Sequence, residues 1–199
     1  MRKPWSQMFN CEFVLSENEY LNFMGDMQPM TTFIDVDEEN IEDMEAWNPD
    51  IRSKTTIRST PTRHFVDTSI ACRSLNVMPE DLLRDLNSFG LFFEDMAVRD
   101  LRVYAGTLGG EVRHYRDNAG LECDAVVHLE NGRWGAVEIK LGGDDLIEEG
   151  ASSLKTLKKK IKEKSSEKSP SFMMVLTAVG GAYQREDGVY VAPINLLRP

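Results

Sequence analysis

Residues 121–141 have the sequence LECDAVVHLENGRWGAVEIKL, and this pattern predicts two β-strands that meet near Asn131-Gly132. Apolar and polar residues alternate before the turn, with the period of two expected of a strand. Asp124 lies in the first strand, while Glu138 and Lys140 share one face of the second. The register between the two strands therefore determines whether these charged side chains meet.

The length of the loop sets that register. A two-residue Asn-Gly turn would pair Asp124 with Ile139 and direct the two carboxylates to opposite faces. A three-residue loop, with Gly132 in the left-handed conformation of a bulged turn, pairs Asp124 with Glu138. Two opposed carboxylates roughly 5 Å apart at Cβ are destabilising unless a positive charge lies between them. A divalent cation or Lys140 would supply that charge.

An aspartate, a spacer of thirteen residues and Glu-Ile-Lys resemble the signature of PD-(D/E)XK nucleases. In those enzymes an acid on one strand and an acid-x-Lys on the next bind Mg²⁺ for phosphodiester hydrolysis. The alternative is an edge hairpin whose polar face is simply solvated.

A helix predicted from about Leu91 to Tyr104 carries an acidic residue on its apolar side. Its spacing places Asp95, Arg99 and Arg102 on the polar side, whereas Glu94 projects among the apolar residues. A carboxylate there is costly unless it is paired or bound to a metal. The alternatives are an arginine partner such as Arg116, or a position near the helix end.

The predicted order of elements is the helix with Glu94, a strand, the Asp124 strand, the Glu138 strand, a helix over 146–164 and further strands. This is the core order of the restriction-endonuclease-like fold. We therefore predict an α/β domain with that core, in which helices flank a mixed central sheet. Residues 1–50 are predicted to be an acidic, irregular arm, residues 51–90 a lead-in with short helices, and residues 91–199 the nuclease-like domain.

Several short segments point to one family, among them GLFFE at 90–94, ECD at 122–124 and EIKLG at 138–142. With these segments, the sequence from Trp47 to Pro199 is similar to the uncharacterised C-terminal domain that follows an AAA+ ATPase in many bacterial and archaeal proteins. That family is classed with PD-(D/E)XK nucleases by its motifs. The ATPase half is missing here. Because no Gly-x-x-x-x-Gly-Lys-Ser/Thr motif occurs in the sequence, we expect no ATP binding or hydrolysis.

Two classes of function follow. As a nuclease, the domain would bind Mg²⁺ or Mn²⁺ through Asp124 and Glu138, with Glu94 as a direct or water-mediated ligand and Lys140 positioning the attacking water. As a non-catalytic module, it would keep the nuclease fold and bind nucleic acid or protein.

The charge of the chain is unevenly distributed, and it does not exclude binding to nucleic acid. Residues 1–50 hold 12 acidic and 2 basic residues, while the rest of the chain is neutral overall. We expect contacts with DNA or RNA at two basic groups: Arg52, Lys54 and Arg58 in an acid-free run, and Lys158 and Lys159 on the basic face of the 146–164 helix. Pairing of the first group with the acidic arm, and simple solvation of the second, are the alternatives. The arm is also a candidate contact for a protein partner.

The remaining composition fits an ordinary soluble protein, with 41% hydrophobic and 28% charged residues. No apolar run approaches the ~20 residues of a membrane span, so we expect no membrane association. The three cysteines are far apart and form no Cys-x-x-Cys pair. Neither a disulfide framework nor a zinc site is indicated, and a reducing cytoplasm is expected.

Overall fold

The computed structural model describes residues 38–49, 60–164 and 169–197. A single 3₁₀ turn at Glu38–Asn40 comes first, and another, Ile194–Leu196, follows the final strand. Strands and helices lie between them in the order β1 (Ile41–Met44), β2 (Thr62–Phe65), α1 (Thr68–Ser74), α2 (Pro79–Arg84), α3 (Leu86–Thr107), β3 (Gly110–Arg116), β4 (Glu122–Leu129), β5 (Trp134–Lys140), α4 (Asp144–Lys164), β6 (Phe172–Thr177), β7 (Tyr183–Gln184) and β8 (Tyr190–Pro193).

The central sheet has six strands in the order β3-β4-β5-β6-β8-β7. The pairs β3–β4, β4–β5 and β7–β8 are antiparallel, whereas β5–β6 and β6–β8 are parallel. The long connection through α4 is what allows β5 and β6 to run in the same direction. The predicted α/β class and mixed central sheet are confirmed.

Two apolar cores lie on opposite faces of this sheet. On one face, Val137 and Ile139 of β5 pack with Phe93 and Val98 of α3. On the other face, Ala136 of β5 packs with a row of apolar residues along α4, Ile147, Ala151, Leu154, Leu157 and Ile161. A strand exposes alternate side chains to its two faces, so β5 is covered on both sides. Consistent with this, six of its seven residues are buried.

Helix α3 is longer than the sequence predicts, since it begins at Leu86 and ends at Thr107. Asp85 caps it, because one carboxylate oxygen accepts hydrogen bonds from the backbone N–H groups of Asn87 and Ser88. Gly90 lies inside the helix and does not interrupt it. The predicted start at Leu91 is therefore wrong by one and a half turns, because the cap lies before the glycine.

The last part of the acidic N-terminal segment packs on the domain. Strand β1 pairs with β2, and the side chain of Trp47 is buried against the ring of Trp134, with ring centroids 4.6 Å apart. The backbone N–H of Trp47 also donates to the carbonyl of His114 at 2.6 Å. Residues 41–47 therefore belong to the same folded unit as the sheet. Residues 1–37 and 50 of the predicted arm lie outside the described residues.

Both cysteines of the described part, Cys72 and Cys123, are free. None of the helices in this part combines the length and the apolar character needed to cross a membrane.

Candidate functional site

The hairpin adopts the register in which Asp124 and Glu138 lie opposite each other. Ala125 pairs with Val137 and His128 with Trp134, so the next pair outward is Asp124 with Glu138. The loop has three residues, because the Leu129 N–H donates to the Arg133 carbonyl across it. Gly132 has φ +77°, the left-handed conformation that the bulged turn requires. Of the two loop lengths that the sequence leaves open, the structure therefore shows the three-residue loop.

Asp124 is held at the point where β4 and β5 separate. The ladder between these strands ends at Ala125, and the Ile139 N–H donates to Asp124 Oδ2 at 2.7 Å. The carboxylate thus takes the place of the next ladder bond. This contact fixes the side chain on the edge where the strands diverge.

Lys140 lies between the two carboxylates. Its Nζ is 3.2 Å from Glu138 Oε2 and 4.0 Å from Asp124 Oδ2. The side chain of Glu138 is only 5% exposed, whereas those of Asp124 and Lys140 are about one-fifth exposed. The sequence suggests either a divalent cation or Lys140 as the positive charge between the two carboxylates. In the structure, Lys140 lies there.

Helix α4 contributes a polar contact that the sequence analysis missed. Ser153 Oγ lies 3.1 Å from Glu138 Oε1 and 3.2 Å from the carbonyl oxygen of Glu122. Its single O–H can donate a hydrogen bond to either of these two acceptors. One turn earlier, a Cβ on Gly150 would come within 3.2 Å of Glu138 Cβ. The small residues at 150 and 151 in an otherwise amphipathic helix are the sequence signal for this close approach.

The pKa values of both hairpin carboxyl groups, Asp124 and Glu138, are raised above their usual range. Burial first and the negative charge of Asp124 second raise the pKa of Glu138, Lys140 and Ser153 oppose them, and the net value is about 8. Burial also raises the pKa of Asp124, against the opposing effects of Lys140 and the Ile139 N–H. Burial lowers the pKa of Lys140, but its two carboxylate neighbours more than offset this and raise it overall. Lys140 therefore stays charged at neutral pH.

Glu94 lies on α3, which packs on the face of the sheet opposite to α4. The charges of Asp124 and Lys140 nevertheless affect its pKa. Burial first and the charge of Asp124 second raise its pKa, His64 and Lys140 oppose them, and the net value is about 7. Arg116, the alternative partner, instead pairs with Glu122 at 2.7 Å. Glu94 is thus a half-buried carboxyl within electrostatic reach of Asp124 and Lys140.

Asp95 was predicted on the polar side of the helix, and this is wrong. Its carboxylate is buried and accepts hydrogen bonds from the Phe65 N–H at 2.8 Å and from Thr68 Oγ1 at 2.6 Å, with His64 Nδ1 at 3.4 Å. Burial raises its pKa, but these contacts outweigh burial and lower it. The β2–α1 unit covers this side of α3, which a helical wheel for α3 alone does not reveal.

The carboxylates of the site suit a hard divalent cation. Asp124, Glu138 and Glu94 offer oxygen atoms only, the donors that Mg²⁺ prefers, and burial is the main cause of their raised pKa values. Within the described ranges, no group of three or more His, Cys, Asp or Glu side chains is arranged so that it could hold a metal ion. A single coordination shell formed by these three acids stays a prediction.

The predicted basic face of α4 is divided. Lys158 and Lys159 are exposed, but Lys155 pairs with Asp187 at 2.9 Å and Lys160 pairs with the buried carboxylate of Asp117. Part of this positive charge is therefore used inside the fold. The other predicted nucleic-acid contacts, Arg52, Lys54 and Arg58, lie outside the described residues.

Residues 89–197, more than half of the chain, match the domain of unknown function DUF4143. The chain belongs to the DUF4143 family. Its DUF4143 segment begins within α3 and contains all six strands of the central sheet, together with Glu94, Asp124, Glu138 and Lys140. No curated protein and no solved structure matches this chain significantly.

Proposed function

We propose that this DUF4143 domain is a Mg²⁺- or Mn²⁺-dependent phosphodiesterase that acts on nucleic acid and has a restriction-endonuclease-like, PD-(D/E)XK core. The observation that carries the proposal is the hairpin register. It brings an aspartate and an acid-x-Lys together at the end of a sheet, with Lys140 Nζ 3.2 Å from Glu138. Buried acids with raised pKa values and a charged partner are typical of functional sites.

The order of the elements also supports this proposal. A helix with Glu94 comes first, followed by β3, β4 with Asp124, β5 with Glu138 and Lys140, the crossover helix α4 and the parallel strand β6. The restriction-endonuclease-like core has the same order, with acids at the same elements. By the same resemblance, the domain is a relative of the C-terminal domain that follows AAA+ ATPases, here without an ATPase motif.

In this proposal each side chain has a separate task. Asp124 and Glu138 would hold the metal ion, with Glu94 as a direct or water-mediated ligand. A bound Mg²⁺ or Mn²⁺ neutralises charge on the phosphate and makes water a better nucleophile. Lys140, held between the two carboxylates, donates a hydrogen bond to the attacking water and orients it. Ser153 and the Ile139 N–H keep the two carboxylates in place.

The substrate class proposed is DNA or RNA. Lys158 and Lys159 on the exposed side of α4, and Arg52, Lys54 and Arg58 in the acid-free run, are the candidate phosphate contacts. The acidic N-terminal segment is the candidate contact for a protein partner.

A second candidate function is a non-catalytic module that binds nucleic acid or protein. The observation in its favour is that Lys140 already supplies positive charge to both carboxylates. A site that is balanced in this way can persist without a metal ion.

Calorimetric titration with Mn²⁺ and Mg²⁺ separates the two candidates. For the enzyme we expect saturable binding by the wild-type protein, weakened by about 100-fold or more in Asp124→Ala, because loss of groups outside the ligand shell alone costs 10- to 100-fold. Asp43→Ala, which changes an exposed aspartate of β1, serves as the matched control and should bind like wild type. Absence of binding at millimolar metal would favour the module.

A further inference from the structure

Thr177 carries a buried hydroxyl group that nothing in the described part of the chain satisfies. It is the last residue of β6 and is 1% exposed. Its Oγ1 has no hydrogen-bond partner there. A buried polar group without a partner destabilises the folded protein, so its presence calls for an explanation such as a ligand or an ordered water.

The sheet places Thr177 beside the candidate site. In the parallel pairing of β5 with β6, Glu138 lies opposite Val175 and Lys140 lies opposite Thr177. Residues opposite each other in a sheet point to the same face. Val175 packs in the core beneath α4, and so Thr177, two residues later, also lies on the face that carries Glu138 and Lys140.

This position is also where ligands bind in sheets of this kind. Thr177 and Lys140 are the final residues of two neighbouring parallel strands. In open α/β sheets, ligands bind in the crevice outside the carboxyl ends of such strands. The unsatisfied hydroxyl therefore lies at the end of the sheet where the proposed chemistry would occur.

The hydrogen-bonding capacity of the two side chains is complementary. The Lys140 ammonium has three N–H donors, and its closest acceptor is Glu138 at 3.2 Å. The Thr177 hydroxyl has one donor and two acceptor positions. A water molecule between them would accept from Lys140 and donate to Thr177 Oγ1, which satisfies the hydroxyl and fixes the direction of the water lone pair.

We propose that Thr177 is a further residue of the site and that its hydroxyl, together with Lys140, positions the water that attacks the phosphodiester. This inference rests on the proposed function. In the hydrolysis, the water oxygen forms a bond to phosphorus and the bond from phosphorus to the leaving oxygen breaks. One water proton ends on the leaving hydroxyl and the other on the new phosphate monoester. Thr177 takes part in orientation only and forms no bond to phosphorus.

The test compares Thr177→Val, which removes the hydroxyl and keeps the shape, with Thr177→Ser, which keeps the hydroxyl. Thr107→Val, at the exposed far end of α3, is the matched control. Hydrolysis of a labelled single-stranded and a labelled duplex oligonucleotide in Mn²⁺ gives kcat and KM. Titration with Mn²⁺ alone gives metal affinity, and thermal melting gives stability.

For Thr177→Val we expect kcat to fall about 10- to 100-fold, the effect of losing one hydrogen bond to a reacting group, with KM and Mn²⁺ affinity within about twofold of wild type. Its melting temperature should stay close to that of wild type, because valine keeps the shape of the buried side chain. Thr177→Ser should recover most of the rate, and Thr107→Val should match wild type.

Two results would overturn the assignment while the proposed function stands: a Thr177→Val enzyme with wild-type kcat, or one that loses rate only through a lower melting temperature or weaker Mn²⁺ binding. A wild-type protein that hydrolyses neither oligonucleotide would overturn the phosphodiesterase itself, and the assignment of Thr177 would fall with it. The wild-type measurement therefore distinguishes the two failures.

Discussion

Raising the pH from 6 to 8 should strongly increase the affinity of the site for Mn²⁺. Metal ligands bind in their deprotonated form, so a metal ion must displace any proton that the ligand carries. In the metal-free protein, burial first and the charge of Asp124 second raise the pKa of Glu138 to about 8 and that of Glu94 to about 7. Below these values both groups hold protons, and binding must release them.

The size of the effect follows from these two pKa values. A carboxyl group with a pKa of about 8 is about 1% ionised at pH 6 and about 50% ionised at pH 8, which changes the apparent affinity about 50-fold. A group with a pKa of about 7 contributes about another tenfold over the same range. If Glu138 and Glu94 both bind the ion, the affinity should rise about 500-fold, and if Glu138 binds alone, about 50-fold.

Calorimetry at pH 6, 7 and 8, repeated in buffers of different ionisation enthalpy, measures both the affinity and the protons released. We expect about two protons released at pH 6 and fewer than one at pH 8. Glu138→Gln should reduce the pH dependence to the roughly tenfold contribution of Glu94, whereas Asp43→Asn should leave it unchanged. An affinity that is constant from pH 6 to pH 8, with no buffer-dependent heat, would refute the assignment of Glu138 as a ligand.

Three further predictions concern stability. Because the folded-state pKa of Glu94 is raised to about 7, its contribution is fully present below pH ~4.5 and is lost as pH rises through ~7. Glu94→Gln should therefore stabilise the metal-free protein at pH 8, by at most about 3 kcal/mol, and leave it unchanged at pH 4, as measured by thermal melting. Lys160→Met leaves the fully buried carboxylate of Asp117 without its ammonium partner and should cost about 3–5 kcal/mol in denaturant unfolding. Trp47→Ala removes a buried ring that packs on Trp134, and the same unfolding experiment should show a loss of about 3–5 kcal/mol.

Each of these three stability predictions can be contradicted by a specific result. A Glu94→Gln protein less stable than wild type at pH 8 would indicate a closed ion pair at Glu94. Lys162→Met, on the exposed face of α4, is the control for Lys160 and should change stability by less than about 0.5 kcal/mol; equal effects of the two would contradict the buried pair with Asp117. An unchanged Trp47→Ala protein would mean that residues 41–47 do not belong to the cooperative unit.

Local chemistry narrowed the hairpin to two registers, but the sequence did not decide between them. The glycine at 132 suits either turn, and the structure shows that the three-residue loop, which joins Asp124 to the acid-x-Lys, is the one that forms. The fold class followed from the apolar periodicities of the sequence. These features depend on residues that are close in sequence.

The features that escaped prediction depend on contacts between distant segments. Asp95 and Glu94 are neighbours on α3, and only the packing of β2 and α1 against the helix buries the former in hydrogen bonds. Ser153 reaches Glu138 because α4 crosses β5 at that residue. The position of the unpaired Thr177 hydroxyl beside Lys140 can be recognised only when the pairing of β6 with β5 is known. A single sequence contains no local signal for such pairings.

The most direct measurement of the central claim is hydrolysis of labelled DNA and RNA oligonucleotides by the purified protein in Mn²⁺, Mg²⁺ and a chelator, with Asp124→Asn and Lys140→Met beside wild type. The proposed chemistry predicts cleavage by wild type that requires the metal ion and is lost in both variants while their melting curves show a folded protein. Cleavage that persists in Asp124→Asn, or a folded wild-type protein that cleaves neither oligonucleotide with either metal, would contradict it.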